Sequence, residues 1–389
     1  MPLLKYSPEH EIFRTQIKNF VEKEVRPFVE KWEQQGKTDR ALWKRCGEMG
    51  FLGITYPESL GGMGADHFFS QVFVEEMSQC GSSGVILGLI VQTHMATPAL
   101  VAHGSDFLKE KYLKPAILGD KICAIAVTEP NCGSDVAGLE TRAVLQGDHY
   151  LVSGSKMFIT NGLQADFLTL LARTSDQPGY GSYSLFVVPT DLPGVSTARA
   201  LKKTCYLSSD TAEVSLENVK LPKEFLIGTE GKGFKYQMEQ FQHERLAIII
   251  MMVGTMKRAY ELTKKYVTER TAFGKLLVEH QVTRHKLAQI LAELTLVESA
   301  TYQCVEMATR NEDFTKEVSM LKLTGAQIQQ RVLEECAQIH GGYGLMQEYE
   351  VARYFRDSKL SSIGGGSSEI MKEIISKIEF SAFEKNKVK

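Results

Sequence analysis

The segment AVTEPNCGSDVAG, residues 126–138, lies where the chain changes from helical to strand patterns. Over residues 9–120 apolar residues recur at helical spacing, whereas residues 122–222 hold short apolar runs bounded by turn residues, as is typical of β-strands. The segment itself joins a predicted strand to a polar turn. Its backbone N–H groups and the hydroxyls of Thr128 and Ser134 could bind a planar heteroaromatic group or a phosphate, although a plain turn would have the same composition.

Helical patterns return after residue 233, and the nearly all-apolar residues 246–253 predict a helix that is buried on every side. A chain of 389 residues is too long for one compact core, since single cores stop growing at roughly 250 to 300 residues. We therefore expect an α+β fold: an N-terminal α-helical domain (1–121), a middle antiparallel β-domain (122–232) and a C-terminal α-helical domain (233–389).

Composition and charge exclude several classes of protein. Hydrophobic residues make up 43% and charged residues 24% of the chain, as in ordinary globular proteins, and the formal charge of −2 offers no basic field for nucleic acid. The seven cysteines form no CxxC pair and the nine histidines no HExxH motif. We expect no metal site, no disulfide framework and no nucleic-acid partner.

Neither a targeting segment nor a membrane span is predicted. The first twenty residues carry Glu9 and Glu11 and lack an apolar core, so they fit neither a signal peptide nor a transit peptide. The protein is expected in the cytoplasm if bacterial, or in the mitochondrial matrix, after removal of a presequence, if eukaryotic. Residues 77–105 lack charge, but their uninterrupted apolar core, residues 85–91, is much shorter than the ~20 residues that span a bilayer. They predict a buried helix.

Two further segments could carry chemistry. Residues 156–162 (KMFITNG) place an aromatic ring beside a hydroxyl at a strand end, where the ring could stack on a flavin or, more commonly, belong to the core. Residues 338–345 (QIHGGYGL) place glycines between two helices, which lets a ligand or another backbone approach, although a helix-turn-helix needs the same residues.

Together, the three segments resemble the acyl-CoA dehydrogenase family, and the resemblance extends from the N-terminal helices to Ile370. Residues 126–138 and 338–345 match both signature patterns of the family, in the right order and about 200 residues apart. Residues 269–275 with Gln281, residues 56–64 and residues 365–370 match as well. The resemblance implies that the C-terminal helices form a four-helix bundle.

The resemblance also implies an FAD cofactor held across a subunit interface. A homodimer is then needed for binding, and a homotetramer, a dimer of dimers, is the usual assembly. The residues that the resemblance assigns to FAD are Ile125, Ala126, Val127, Thr128, Ser134, Phe158, Ile159, Thr160, Arg270, Phe273, Gln281, Gln338, Ile339, Gly341, Gly342, Ser367 and Glu369.

Glu244 is the predicted catalytic base. Medium-chain members carry their base directly before the glycine that corresponds to Gly366, and this chain has Gly365 there. Long-chain and isovaleryl members instead carry a Glu on a helix of the last domain, immediately before an Arg, and this chain has Glu244 and Arg245. The apolar run that follows predicts a desolvated carboxylate with a raised pKa. A first-turn Glu favoured by the helix dipole would explain Glu244 but not the coincident Gly365.

The resemblance therefore implies α,β-dehydrogenation of a fatty acyl-CoA to trans-2-enoyl-CoA in fatty acid β-oxidation, with electron-transfer flavoprotein as acceptor and long-chain substrates favoured. His243 is alternatively a merely exposed helix residue. The residues implied to contact the substrate are Ser134, Gln242, His243, Arg245, Gly365 and Gly366.

Three other functions stay open on the sequence. An isovaleryl or branched-chain dehydrogenase would share the helix-borne Glu. An acyl-CoA oxidase on the same fold would pass electrons to oxygen, but the length of the chain, without an added C-terminal domain, favours the dehydrogenase. A non-catalytic acyl-CoA-binding scaffold that has lost its base is the third, because Gly365 stands at the usual base position.

Overall fold

The computed structural model describes residues 5–381, so residues 1–4 and 382–389 of the predicted end domains lie outside it. Short 3₁₀ and π-helical turns join the N-terminal α-helices, which are α1 (Pro8–Phe20), α2 (Val29–Gln35), α3 (Arg40–Glu48), α4 (His67–Met77), α5 (Ser83–Ile90), α6 (Pro98–His103), α7 (Asp106–Leu108) and α8 (Lys114–Ile117). Ser7 caps helix α1: its Oγ accepts a hydrogen bond from the His10 N–H at 3.3 Å, while His10 Nδ1 accepts one from the Ser7 N–H at 3.1 Å.

The uncharged stretch around α5 is buried, as predicted: every residue from Ser83 to Ile90 lies in the interior. The helix continues through a π-helical turn (Val91–Ala96) into α6, so Ser83–His103 is long and apolar enough to cross a membrane by length and composition alone. Because 67% of its most apolar window is buried inside the protein, it also fits the core helix of a globular fold.

The middle part is one eight-stranded sheet, in the order β6-β7-β3-β2-β4-β5-β8, with β1 paired to β4. Its strands are β1 (Cys123–Ala126), β2 (Arg142–Gln146), β3 (His149–Thr160), β4 (Phe167–Arg173), β5 (Tyr183–Pro189), β6 (Val195–Ala200), β7 (Thr211–Pro222) and β8 (Leu226–Ile227).

The sheet is mostly antiparallel, as predicted, but not entirely. Strand β1 pairs with β4 in parallel from Cys123↔Phe167 to Ala126↔Leu170, and β2 meets β4 in parallel at Arg142↔Arg173. The chain between β1 and β4 contains a turn and the β2–β3 hairpin, so β4 re-enters the sheet in the direction of β1. Parallel pairing needs such a long connection, whereas the antiparallel pairs of this sheet include tight hairpins.

The C-terminal part is helical again, and its elements are α9 (Gly233–Glu269), the small hairpin β9 (Thr271–Ala272) and β10 (Lys275–Leu276), α10 (Gln281–Thr309), α11 (Thr315–His340), α12 (Glu350–Asp357) and α13 (Ser368–Glu379). Helix α9 packs against α10 and α11, and α13 packs along α11. Every residue from Leu246 to Val253 is buried, which confirms the prediction for this part of α9. The order of helices, sheet and helices confirms the α+β class.

Two apolar cores result. One joins the N-terminal and C-terminal helices across α4, α5 and α9, and the other fills the sheet together with α6 and α8. Helix α9 therefore runs through the larger core. A polar side chain on its inward face is removed from bulk water, which sets the electrostatics of the site described next.

Candidate active site

Glu244 lies on α9 just before the apolar run, with only 8% of its surface exposed. Burial raises the pKa of its carboxyl group to about 7, and the nearby positive charges of Arg245 and Lys322 offset only part of that effect. Within residues 5–381 no group donates a hydrogen bond to this carboxylate. A buried carboxylate with a near-neutral pKa and free oxygens can accept a proton from a ligand.

Gly365 faces Glu244 although the two residues are far apart in sequence. A side chain at Gly365 would place its Cβ 3.6 Å from Glu244 Oε1 and 2.3 Å from Ile248 Cδ1. The φ angle of Gly365 is +65°, which favours glycine in any case. The sequence analysis named two positions for the base, residue 365, where this chain has a glycine, and residue 244, where it has a glutamate. The structure places these two positions opposite each other.

Arg245 and Gly366 stand beside this pair. A Cβ at Gly366 would lie 3.7 Å from Arg245 Nε, and within the described part of the chain that buried Nε has no hydrogen-bond partner. Burial lowers the pKa of Arg245, although Glu244 opposes the shift. A buried guanidinium with an unpaired N–H is suited to a polar or anionic ligand group.

Gln242 and His243, also predicted to contact the substrate, are half-buried on α9. The His243 ring stacks on His67 with centroids 5.3 Å apart and meets Phe314 edge-on at 5.4 Å. Burial, with a smaller contribution from His67, lowers the pKa of His243 to about 4. The alternative of a merely exposed helix residue is therefore wrong for His243, because its ring packs between two other rings.

Lys322 on α11 belongs to the same site and was missed from the sequence. It is 1% exposed, and its Nζ donates to the carbonyl oxygens of Ser361 at 2.6 Å and Gly366 at 3.2 Å. Burial, aided by Arg245, lowers the pKa of Lys322 to about 8, while Glu244 acts in the opposite direction. Its spacing from the apolar positions Val318, Leu321 and Gly325 could have placed it on the inward face of α11.

Direct contacts join the first two predicted cofactor segments. The N–H of Met157 donates to the carbonyl of Thr128 at 2.9 Å. Lys156 is fully buried, and its Nζ lies 2.8 Å from Glu129 Oε1 and 3.0 Å from the carbonyl oxygen of Val127. Burial lowers the pKa of Lys156 to about 8, and although burial acts to raise the pKa of Glu129, the Lys156 ammonium brings it below its usual value. This ion pair holds the turn after β1 against β3.

Phe158 presents an aromatic face to solvent beside that turn. Its φ angle is +61°, which non-glycine residues rarely adopt, and its side chain is 67% exposed at a register shift between Lys156 and Ile159. The half-buried Thr160 is two residues away, and the half-buried Thr128 is linked to the neighbouring Met157 by a backbone hydrogen bond. An exposed ring on a strained backbone beside these hydroxyls fits the planar ring system of a flavin.

The other predicted residues of these segments differ in exposure. Ile159 is 2% exposed and its side chain packs in the sheet core, because the bulge turns Phe158 outward and Ile159 inward. Its assignment to the cofactor stays a prediction. Ala126 is buried at the end of β1, Ile125 and Val127 are half-buried, and Ser134 is exposed in the turn.

The third predicted segment lies in a groove of about 490 Å³ on the C-terminal helices. The groove is lined by Arg270, Ile339, Gly341 and Gly342, among others. A Cβ at Gly341 or Gly342 would meet no atom of residues 5–381 within 4 Å, so the backbone there is open to a ligand. Open glycines beside an arginine suit a phosphate group, as the pyrophosphate of FAD requires.

The remaining predicted cofactor residues of the C-terminal part do not line this groove. Gln281, at the start of α10, lines a second groove of about 470 Å³ between α10 and α11. Phe273 is 97% exposed at the tip of the β9–β10 hairpin, and Gln338 is exposed at the end of α11. Ser367 caps α13 by accepting from the Ile370 N–H at 3.4 Å, and Glu369 is exposed.

The buried carboxylate, the exposed aromatic and the open glycines fit one class of protein, the flavin-dependent oxidoreductases that act on CH–CH groups. Family models for the N-terminal, middle and C-terminal domains of acyl-CoA dehydrogenase match residues 7–120, 124–219 and 231–379. The chain belongs to the acyl-CoA dehydrogenase family, and its cofactor is FAD.

Relatives named for acyl chains of different length have similar sequence identities to this chain. The mitochondrial long-chain specific acyl-CoA dehydrogenase of Rattus norvegicus is 35% identical over 375 residues, which cover 96% of this chain and 86% of that protein. The short-chain specific acyl-CoA dehydrogenase of Clostridium acetobutylicum is 34% identical over 373 residues, covering 95% and 97%. The crystal structure of an acyl-CoA dehydrogenase from Geobacillus kaustophilus superposes with a TM-score of 0.92 at 40% identity, covering 96% and 98%.

Proposed function

We propose that the protein converts a saturated long-chain fatty acyl-CoA to trans-2-enoyl-CoA in fatty acid β-oxidation, with Glu244 as the catalytic base. The observation that carries this proposal is the buried, unbonded carboxylate of Glu244 opposite Gly365. A pKa of about 7 leaves a large fraction of this carboxylate ionised at neutral pH, while keeping it basic enough to take the α-proton of a thioester.

A hydrogen-bond donor for the thioester carbonyl of the substrate lies in the segment that faces Glu244. Within residues 5–381 the N–H of Gly365 has no acceptor, and it lies in the segment that faces Glu244. A hydrogen bond from this N–H would stabilise the negative charge that develops on the carbonyl oxygen as the α-proton leaves. FAD, when bound, supplies the acceptor for the hydride from the β-carbon. Burial of Glu244 in the core keeps water from the reacting atoms.

The preference for long acyl chains rests on the position of the base. A Glu on α9 directly before Arg245 is the arrangement that the sequence shares with long-chain and isovaleryl members, and a long-chain enzyme is among the relatives described above. The relatives also include a short-chain enzyme, so chain length has to be measured.

The assembly is proposed to be a homotetramer. The aromatic and hydroxyl groups for the flavin lie on the sheet, whereas the open glycines for the pyrophosphate lie on the C-terminal helices. Among the described residues no hydrogen bond or ion pair joins the two groups, and Phe273 projects almost fully into solvent. A cofactor bound between two subunits would bring such groups together, and pairing two dimers would give the tetramer.

The test is turnover of straight-chain and branched acyl-CoA thioesters with an artificial electron acceptor. Wild type is expected to prefer long straight chains, and Glu244→Gln to lose activity by at least about 100-fold, because general base catalysis contributes roughly 10²–10⁴-fold. Glu239→Gln, an exposed carboxylate on the same helix, is the matched control and should match wild type. Wild-type turnover in Glu244→Gln would reject the base, and a preference for isovaleryl-CoA would reject the long-chain assignment.

The proposed electron acceptor is electron-transfer flavoprotein. Anaerobic addition of acyl-CoA should bleach the yellow protein, and colour should return slowly in air but rapidly with electron-transfer flavoprotein. Rapid return in air with release of hydrogen peroxide would instead show an oxidase. A protein that acyl-CoA fails to bleach would show a non-catalytic scaffold.

A further inference from the structure

Lys322 is a buried ammonium group whose hydrogen bonds all reach one short segment of backbone. It projects from α11 into the interior, where its Nζ donates to the carbonyl oxygens of Ser361 and Gly366 at 2.6 and 3.2 Å. These two residues flank the turn that carries Gly365. Burying a lysine without a paired carboxylate is unfavourable, so a lysine at this position calls for a role that an apolar residue cannot fill.

The charged neighbours of Lys322 all belong to the proposed active site. Across the described residues, Arg245 and Glu244 are the groups whose charges act on Lys322, and Arg245 and Lys322 are those that act on Glu244. No carboxylate of residues 5–381 lies within 4.0 Å of the Lys322 ammonium group, whose partners are the two carbonyl oxygens. The charge of Lys322 is therefore free to act on Glu244 through the low-dielectric interior.

We infer that Lys322 is a positioning residue for the reaction: it ties residues 361–366 to α11 so that Gly365 faces Glu244, and its positive charge favours the ionised base. This inference rests on the proposed function, since it concerns the base named there. The tether sets where the Gly365 N–H meets the thioester carbonyl, and the charge sets the pH at which Glu244 becomes active.

Two substitutions of Lys322 distinguish its tether and its charge from a simple loss of stability. Lys322→Met removes both the donors and the charge, whereas Lys322→Gln removes the charge but keeps an N–H donor. Lys316→Met removes an exposed lysine of the same helix, paired with Glu379 on the surface, and serves as the control. For each variant, kcat, KM, the pH dependence of kcat/KM, FAD content and the midpoint of thermal unfolding would be measured.

We expect Lys322→Met to lower kcat by about 100-fold, the loss that follows when reacting groups are displaced by about 1 Å. Lys322→Gln should lower kcat by a smaller factor. In both, the acid limb of kcat/KM should move to higher pH than in wild type, because Glu244 loses a favourable charge. Lys316→Met should leave all of these quantities unchanged.

The inference is overturned if either variant, folded and saturated with FAD, keeps the wild-type acid limb. A purely structural lysine would lower stability and FAD content without moving that limb. Failure of the proposed function gives a different result: Glu244→Gln would then stay active. An inactive Glu244→Gln together with an unmoved acid limb in Lys322→Gln rejects the role of Lys322 alone.

Discussion

Glu244 and Gly365 face each other so closely that a Cβ at position 365 would lie 3.6 Å from Glu244 Oε1. The same atom would lie 2.3 Å from Ile248 Cδ1, one turn further along α9. A side chain at position 365 would therefore touch the carboxylate of Glu244 and would displace the end of the Ile248 side chain.

Replacement of Gly365 by Ala should reduce both stability and turnover. The φ angle of +65° strains any side chain there, and the Cβ overlaps Ile248. Gly364→Ala is the matched control, because its Cβ would meet Leu360 Cδ1 at an ordinary 3.5 Å. Thermal unfolding and kcat/KM measure both effects. Equal unfolding midpoints and equal kcat/KM in Gly365→Ala and Gly364→Ala would contradict the described geometry.

The pH dependence of turnover should report the raised pKa of Glu244. Because the base must be ionised, kcat/KM of wild type is expected to fall tenfold per pH unit below about pH 7 and to level off above it. A substrate without ionisable groups in that range should be used. An acid limb near pH 4.5, the ordinary value for a glutamate, would show that Glu244 is not desolvated in the free enzyme.

Glu244→Gln should make the protein more stable above pH 7. The pKa of Glu244 is raised from 4.5 to about 7 on folding, so its contribution to stability is complete below pH 4.5 and is lost as pH rises through 7. Glutamine keeps the neutral form at every pH. The variant should gain up to about 3 kcal/mol at pH 8 and nothing near pH 4, since each tenfold change in proton affinity on folding corresponds to about 1.4 kcal/mol.

Thermal unfolding of wild type, Glu244→Gln and the exposed control Glu239→Gln at several pH values would measure this difference. Only Glu244→Gln should diverge from wild type as pH rises. A constant difference across the whole pH range would mean that the carboxyl group does not titrate differently in the folded chain.

Lys156→Met should destabilise the middle domain and weaken FAD binding. It leaves the carboxylate of Glu129 buried without its partner, which typically costs about 3–5 kcal/mol, and frees the turn that carries Thr128. Arg142→Met breaks an exposed pair with Asp176 and should cost at most about 1 kcal/mol. Chemical denaturation and FAD content would be compared. Similar losses in both variants would reject the role given to the buried pair.

Phe273→Ala tests whether this residue reaches a cofactor in another subunit. The side chain is 97% exposed, so its removal should leave the unfolding midpoint of the apo chain unchanged while lowering FAD retention on gel filtration. Phe380→Ala, which removes another exposed phenylalanine (60%), is the control. Undiminished FAD retention in Phe273→Ala would show that the hairpin tip does not contact the cofactor.

The sequence predicts elements whose periodicity is strong and local. Residues 246–253 carry an apolar pattern that only a fully buried helix satisfies, and the alternating run from Thr211 gives a strand. The parallel pairing of β1 with β4 was missed, because periodicity indicates which face of a strand is buried but not the direction of its partner.

A site residue can be predicted from the sequence only where few other roles would explain its residue type. Glu244 was predicted from the family resemblance, in which a Glu before an Arg on a C-terminal helix replaces the base that this chain lacks at Gly365. The orientation of Ile159 was not, since a bulge shifts the alternation by one residue and reverses the faces. Lys322 was missed because lysine is usually a surface residue, although its spacing from the apolar residues of α11 places it on the inward face of that helix.

The apolar stretch Ser83–His103 has a consequence for the synthesis of this protein. It leaves the ribosome well before α9, which begins at Gly233 and covers part of it in the finished fold. Until α9 arrives, a segment with the composition of a membrane span lacks the main surface against which it packs. The nascent chain is therefore exposed to aggregation, and truncated forms that end before α9 should need a chaperone to stay dispersed.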